Sequence, residues 1–158
     1  MREALIAHLA AIRQMMRAAD QDYAALLAQP IDTAWLQSYD HQRIVNSFLF
    51  NYLKIQDKMG AELFRALLRE WRELDDDAMP MIDVLNRLEK LGIIDSVQTW
   101  DELREVRNAI THEYPDDEAL RLANIQMALD GYRHMQAILH RIEERLSGNA
   151  TTLPGTAP

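Results

Sequence analysis

Residues 4–27, ALIAHLAAIRQMMRAADQDYAALL, decide the fold class. Apolar side chains recur in this stretch at alternating steps of four and three residues: Leu5, Leu9, Ile12, Met16, Ala19, Tyr23 and Leu26. Because an α-helix turns once in about 3.6 residues, this spacing places these side chains in one seam along a single helix. A seam of this length is typical of the helices of a bundle.

The rest of the chain repeats this pattern. A second seam consists of Val45, Phe48, Tyr52, Ile55 and Met59, and a last one of Leu122, Ile125, Leu129, Tyr132, Met135, Leu139, Ile142 and Leu146. No stretch alternates apolar and polar residues as a half-buried strand does. We therefore predict an all-α protein, an antiparallel up-and-down bundle of about five helices over residues 1–147, in which the helical path either continues or kinks at Gly60. Residues 148–158 are predicted to form a disordered tail.

The composition limits the classes of function. The chain has 158 residues, no cysteine, and a formal net charge of −8 from 17 basic and 25 acidic side chains. The absence of cysteine excludes disulfides and thiolate metal sites, and no apolar run reaches the ~20 residues that span a membrane. We therefore expect a protein of the cytoplasm. The acidic balance argues against a broad electropositive surface for nucleic acid, although it permits a local basic cleft.

One segment, residues 104–115 with the sequence REVRNAITHEYP, carries most of the side chains suited to chemistry. We predict that its helix begins with a capping box of Thr99 and Glu102 and stops before Pro115. On a helical wheel Leu103, Val106, Ala109 and Ile110 share one side, while an opposite arc of about 140° holds Arg104, Arg107, Asn108, Thr111 and His112.

These polar side chains suit cleavage of a phosphodiester without a metal. A guanidinium binds phosphate oxygens through two hydrogen bonds, and an imidazole takes or gives a proton near neutral pH. A structural alternative stays open, since a histidine near a helix C-terminus also stabilises the helix dipole and exposed arginines also solvate a helix face.

The same segment resembles the signature of the HEPN superfamily, specifically of its HepT-like toxin branch. That branch carries an arginine, four residues, a histidine, one residue and a tyrosine, with asparagine usually after the arginine. Here these positions are Arg107, Asn108, His112 and Tyr114. The resemblance implies a HEPN-like helical bundle that forms a homodimer, in which two copies of the motif share one cleft.

For function, the resemblance implies a metal-independent endoribonuclease that needs no cofactor and acts as the toxin of a toxin–antitoxin pair. Its catalytic residues would be His112 as general acid or base, Arg107 to stabilise charge on the phosphorus, and Asn108 to position the site. The product would be a 2′,3′-cyclic phosphate. A minimal nucleotidyltransferase antitoxin would silence the enzyme by adding AMP to Tyr114.

The sequence leaves two other interpretations open. The chain is alternatively a non-catalytic HEPN subunit that binds nucleotide or RNA for a partner nucleotidyltransferase, or a plain bundle in which the motif is accidental. Candidate RNA contacts beyond the motif are Arg104 beside it, and Arg133 and Arg141 on the last helix, where a basic strip could guide an RNA backbone.

Overall fold

The computed structural model describes residues 2–112 and 116–148. Its helices are α1 (Arg2–Leu27), α2 (Thr33–Leu36), α3 (Tyr39–Lys58), α4 (Phe64–Glu70), α5 (Met81–Lys90), α6 (Val97–Thr111) and α7 (Glu118–Leu146). These described residues contain no strand. The predicted all-α helical bundle is therefore confirmed. Of the predicted tail, 148–158, every residue after Gly148 lies outside the described residues.

The helix count differs from the predicted five in two places. Helix α2 has only four residues, too few for a periodic seam. Asp32 caps its N-terminus, because its side chain accepts a hydrogen bond from the Trp35 amide at 2.8 Å. Helices α3 and α4 form one continuous path through a π-helical turn, Met59–Leu63. In this turn the Phe64 amide donates to the Met59 carbonyl, the wider hydrogen bond of a π-helix.

The seams found in the sequence form the core of the bundle. On α1 the buried residues are Leu5, Ile12, Met16, Ala19 and Leu26, and this helix packs chiefly on α3. The largest fully buried side chains are aromatic: Trp100, Tyr52, Tyr132, Phe48 and Phe64. Because burial of one large apolar side chain contributes roughly 1.5–3 kcal/mol, these seams dominate the stability of the fold.

Two buried tyrosines connect helices through their hydroxyl groups. Tyr52 on α3 donates to the Leu103 carbonyl of α6 at 3.3 Å. Tyr132 on α7 donates to Asp20 on α1 at 2.5 Å. Both phenols are protonated donors at neutral pH, and burial raises their pKa further above the ordinary value of 10.0. The core thus ties α6 to α3 and α7 to α1.

Helix α6 begins earlier than the sequence predicts. Ser96 caps it, because its Oγ accepts a hydrogen bond from the Thr99 amide at 3.0 Å. The predicted capping box of Thr99 and Glu102 is therefore wrong. Ser96 has the extended backbone of a cap (φ −160°, ψ 158°), whereas Thr99 already lies inside the first turn. The end of α6 at Thr111, before Pro115, agrees with the prediction.

Gly131 lies where α7 packs closely on α3 and α6. A Cβ atom at this position would lie 2.5 Å from the Tyr52 hydroxyl oxygen and 3.0 Å from Cδ2 of Leu103. We expect Gly131→Ala to lower the free energy of unfolding by about 1–3 kcal/mol, because overpacking here outweighs the gain in helix propensity of about 1 kcal/mol. Urea denaturation followed by far-ultraviolet circular dichroism measures the loss.

The control is the double variant Gly131→Ala/Tyr52→Phe, which removes the oxygen that the new methyl group meets. Adding Gly131→Ala to Tyr52→Phe should cost less than adding it to the parent chain. A Gly131→Ala chain as stable as the parent would contradict the close packing of α7 on α3.

Candidate functional site

Helix α6 divides into a buried side and a polar side as its sequence predicts. Leu103 and Val106 are buried, and Ala109 and Ile110 are half-buried. The polar side consists of Arg104, Asn108, Thr111 and His112, which are exposed, and Arg107, which is half-buried. Packing of the apolar side therefore leaves the motif residues at the surface of the bundle.

Arg107 forms an ion pair with Asp57, which belongs to α3. Its Nε donates to Oδ1 at 2.9 Å and its Nη2 donates to Oδ2 at 3.1 Å, which is the two-pronged geometry of a strong pair. These hydrogen bonds raise the pKa of the Arg107 guanidinium. The remaining Nη1 donates to the Asn108 side-chain oxygen at 3.4 Å. The pair fixes the direction of Arg107 and offsets its charge.

A cavity of about 270 Å³ opens between α3 and α6, and we call it the α3–α6 cavity. Its walls include Gln56 and Asp57 from α3, Gly60 from the π-helical turn, and Trp100, Arg104, Arg107 and Asn108 from α6. On its rim Arg104 pairs with Asp101 at 3.3 Å. Three predicted site residues, Arg104, Arg107 and Asn108, therefore come together at one opening.

His112 lines a different cavity, of about 450 Å³, which we call the His112 cavity. Its walls include Asn46 and Leu49 from α3, Ile110 from α6, and His112. The remaining wall consists of Asp117, Glu118 and Arg121 at the start of α7. His112 is the C-cap of α6, with an extended backbone (φ −91°, ψ 129°) and an amide that donates to the Ala109 carbonyl at 3.2 Å. On the helical wheel Arg107 and His112 are the two ends of the polar arc of about 140°, so they face different sides of the helix. The structure thus places His112 and Arg107 at separate cavities.

Arg141 and Arg133 differ although they share α7. Arg141 is half-buried, donates to the Ile93 carbonyl at 3.2 Å and pairs with Asp95 at 2.9 Å. It therefore holds the connection between α5 and α6. Arg133 is exposed, and neither arginine lines the two cavities described above. Contact of either residue with RNA stays a prediction, and Tyr114 lies outside the described residues.

Sequence reasoning misses Gln56 and Asp57, which complete the α3–α6 cavity. Asp57 is separated from Arg107 by 50 positions along the chain. In the sequence these are two polar residues beside the seam residue Ile55, and such residues ordinarily form a solvated helix surface. Only the packing of α3 on α6 shows that they lie beside the motif.

Residues 2–112 and 116–148 lack two further features. No group of three or more His, Asp or Glu side chains in them is placed to hold a metal ion. None of their helices is both long and apolar enough to cross a membrane.

Comparisons of the chain with protein-family models, with curated proteins and with solved structures find no match. The resemblance to the HEPN superfamily therefore depends on the motif residues of α6 and on the all-helical fold, and membership of that family is a proposal.

Arg141→Ala should lower the free energy of unfolding by about 1–2 kcal/mol, because it removes a hydrogen bond and an ion pair that hold the α5–α6 connection. Arg133→Ala on the same helix is the matched control, and it should change stability by no more than about 0.5 kcal/mol. Urea denaturation of both variants measures the difference. Equal losses would contradict the structural role of Arg141.

Proposed function

We propose that the chain is a cytoplasmic, metal-independent HEPN endoribonuclease, the toxin of a toxin–antitoxin pair. The observation that carries the proposal is the exposure of the motif residues at the end of α6, where Arg107 and Asn108 line one surface cavity and His112 lines another. A guanidinium, an amide and an imidazole in one short segment are side chains suited to cleavage of RNA without a metal.

In the proposed reaction His112 removes the proton of a ribose 2′-hydroxyl, and the 2′-oxygen attacks the neighbouring phosphorus. The bond from phosphorus to the 5′-oxygen then breaks, and that oxygen takes up a proton. The products are a 2′,3′-cyclic phosphate and a 5′-hydroxyl. Arg107 stabilises the negative charge that develops on the phosphorane. Asn108 positions this guanidinium, since its side-chain oxygen accepts a hydrogen bond from Arg107.

The reaction uses a base and an acid, and the motif of one chain supplies one imidazole. We therefore propose a homodimer in which two copies of the motif share a cleft. The outer face of α3 supports this arrangement, because Tyr39 is 74% exposed and Phe50 is 61% exposed. Leu49, next to Phe50, lines the His112 cavity. Large apolar side chains that stay exposed on one helix are available to a second chain that covers this face.

His112→Ala should lower the rate of RNA cleavage at least ~100-fold, the usual contribution of general acid–base catalysis. The matched control is His140→Ala, because His140 is exposed on α7 and pairs with Glu144 at 3.1 Å. Gel analysis of a single-stranded RNA oligonucleotide gives the rates, and mass spectrometry identifies the cyclic phosphate. A DNA oligonucleotide of the same sequence should stay intact, since it lacks the 2′-hydroxyl. Cleavage that survives His112→Ala would exclude the proposed mechanism.

We also propose that a minimal nucleotidyltransferase silences the enzyme by transferring AMP from ATP to Tyr114, whose phenol oxygen loses its proton and attacks the α-phosphorus as pyrophosphate leaves. Tyr114 follows His112 by two positions. A nucleotide attached two positions from the proposed catalytic histidine adds negative charge and bulk, and both oppose binding of a phosphate backbone.

Where the neighbouring reading frame encodes a minimal nucleotidyltransferase, co-expression should add AMP to the chain. Intact-mass analysis measures the addition, and peptide fragmentation locates it. Tyr114→Phe should abolish it, because the phenol oxygen is the acceptor. Tyr39→Phe is the matched control at a tyrosine that is 74% exposed. AMP that remains on the Tyr114→Phe chain would contradict the assignment.

A second candidate function is a non-catalytic HEPN subunit that binds nucleotide or RNA for a partner nucleotidyltransferase. The ion pair between Arg107 and Asp57 favours it, because a guanidinium already paired with a carboxylate has less charge to offer a phosphorane. The separation of His112 from the α3–α6 cavity favours it as well. If the chain is such a subunit, both the parent chain and the His112→Ala variant should bind RNA and leave it intact.

A further inference from the structure

Gln56 is the one polar or charged residue that is buried among the described residues, with 4% of its surface exposed. Its side-chain amide makes no hydrogen bond within the described part of the chain. Among the described residues, only Arg65 and Glu143 have a side-chain nitrogen or oxygen atom that is both unpaired and inaccessible to solvent. The amide atoms of Gln56 are therefore accessible, and they open to the α3–α6 cavity that this residue lines. Because no group of the described chain uses this amide, it can pair with water or with a ligand that enters the cavity.

Trp100 brings a second unpaired donor to this cavity. Its surface is 1% exposed, and its Nε1 donates to no residue that the structure describes. Gly60 leaves this edge of the indole uncovered, since a Cβ at residue 60 would lie 3.2 Å from Cζ2 and 3.9 Å from Nε1 of Trp100. A buried indole N–H usually has a partner. The cavity therefore offers the donors and the acceptor of an amide together with the donor of an indole.

The rim of the cavity has one cation that an anion can readily reach. Arg107 is held by Asp57, whose carboxylate also lines the cavity, so this pair is nearly neutral as a unit. Arg104 pairs with Asp101 through one contact of 3.3 Å, and about half of each side chain is exposed. Because exposed ion pairs contribute at most ~1 kcal/mol, a phosphate can displace Asp101 from Arg104.

We propose that the α3–α6 cavity binds a single pyrimidine base of RNA, with the adjoining phosphate on Arg104. This inference rests on the proposed function for the identity of the ligand as RNA, and it adds a specificity site to that function. The volume of about 270 Å³ lies below the roughly 300–1,000 Å³ of pockets for drug-sized ligands, which favours one small ring.

The hydrogen-bonding groups of the cavity match a pyrimidine. A side-chain amide places a donor beside an acceptor, which pairs with the Watson–Crick edge of uracil or cytosine as it does with that of a purine, so the small volume of the cavity selects the single ring. The indole N–H of Trp100 donates to a ring carbonyl, which both of these bases carry.

The test is an NMR titration, in which uridine 3′-monophosphate is added to the full chain labelled with nitrogen-15 and the chemical shifts of the indole N–H groups are recorded. The indole N–H signal of Trp100 should move, while the signals of Trp35 and Trp71, which do not line the cavity, serve as internal references. Adenosine 3′-monophosphate and inorganic phosphate should move the Trp100 signal less at the same concentration. An equal shift with adenosine 3′-monophosphate overturns the selection of pyrimidines, and an equal shift with phosphate overturns the base site.

Gln56→Met keeps the length of the side chain and removes the amide. We expect the affinity for uridine 3′-monophosphate to fall about tenfold or more, and the melting temperature to stay equal or rise, because no protein hydrogen bond is lost. Gln126→Met, at an exposed position on α7, is the matched control and should leave the affinity unchanged. A Gln56→Met chain that binds as tightly as the parent overturns the role of the amide.

Arg104→Ala is a second variant, at an exposed position where the fold tolerates substitution. It should weaken binding of uridine 3′-monophosphate about tenfold and leave binding of uridine itself unchanged, since the nucleoside has no phosphate. A loss of both overturns the assignment of the phosphate to Arg104.

This binding experiment needs no cleavage, so the two proposals fail separately. A chain that cuts RNA but shows no shift of the Trp100 signal overturns the base site alone. A chain that binds uridine 3′-monophosphate at Trp100 but cuts no RNA supports the base site and overturns the ribonuclease.

Discussion

The position of α6 depends on the contact between Tyr52, Leu103 and Gly131. The Tyr52 hydroxyl reaches from α3 to the Leu103 carbonyl in the middle of α6, and α7 covers it at a residue without a side chain. Because the hydroxyl is buried, water does not compete for this hydrogen bond. Arg104 and Arg107 take their direction from the helix that this contact holds. Contacts in the core therefore set the position of the candidate site. The ion pairs of Arg104 and Arg107 only orient these two side chains on α6.

The charges of the candidate site are balanced locally, with Asp57 opposite Arg107 and Asp101 opposite Arg104. Together with a net charge of −8, this balance opposes unspecific coating by a phosphate backbone. Recognition at the α3–α6 cavity would instead use two uncharged groups, the Gln56 amide and the Trp100 indole, together with one cation, Arg104. Both proposed functions, cleavage of RNA and binding for a partner enzyme, are compatible with such a focused site, and they differ in what His112 contributes.

Most of the fold could be predicted because its signals are local. The seam of α1 needs only its own spacing, Gly92 ends α5 with a positive φ of 74°, and Asp117 caps α7 by accepting from the Leu120 amide at 2.9 Å. The candidate site could be predicted only in part. Arg104, Arg107 and Asn108 share one opening because helix periodicity brings them together. Gln56 and Asp57 join them through the packing of α3 on α6, which has no local pattern. His112 lies at the opposite edge of the polar arc from Arg107 and lines the other cavity.

The π-helical turn at Met59–Leu63 contains one residue more than an α-helix needs over the same path. Met59, Leu63 and Leu67 follow one another at steps of four and four, and the wide turn keeps all three in the core. The chain can therefore lose a residue within this turn and regain a regular helix. A deletion elsewhere in α3 or α4 would rotate every residue beyond it by about 100° and bring the seam to the surface. Tolerance to the loss of one residue is thus confined to the same turn that carries Gly60 beside Trp100.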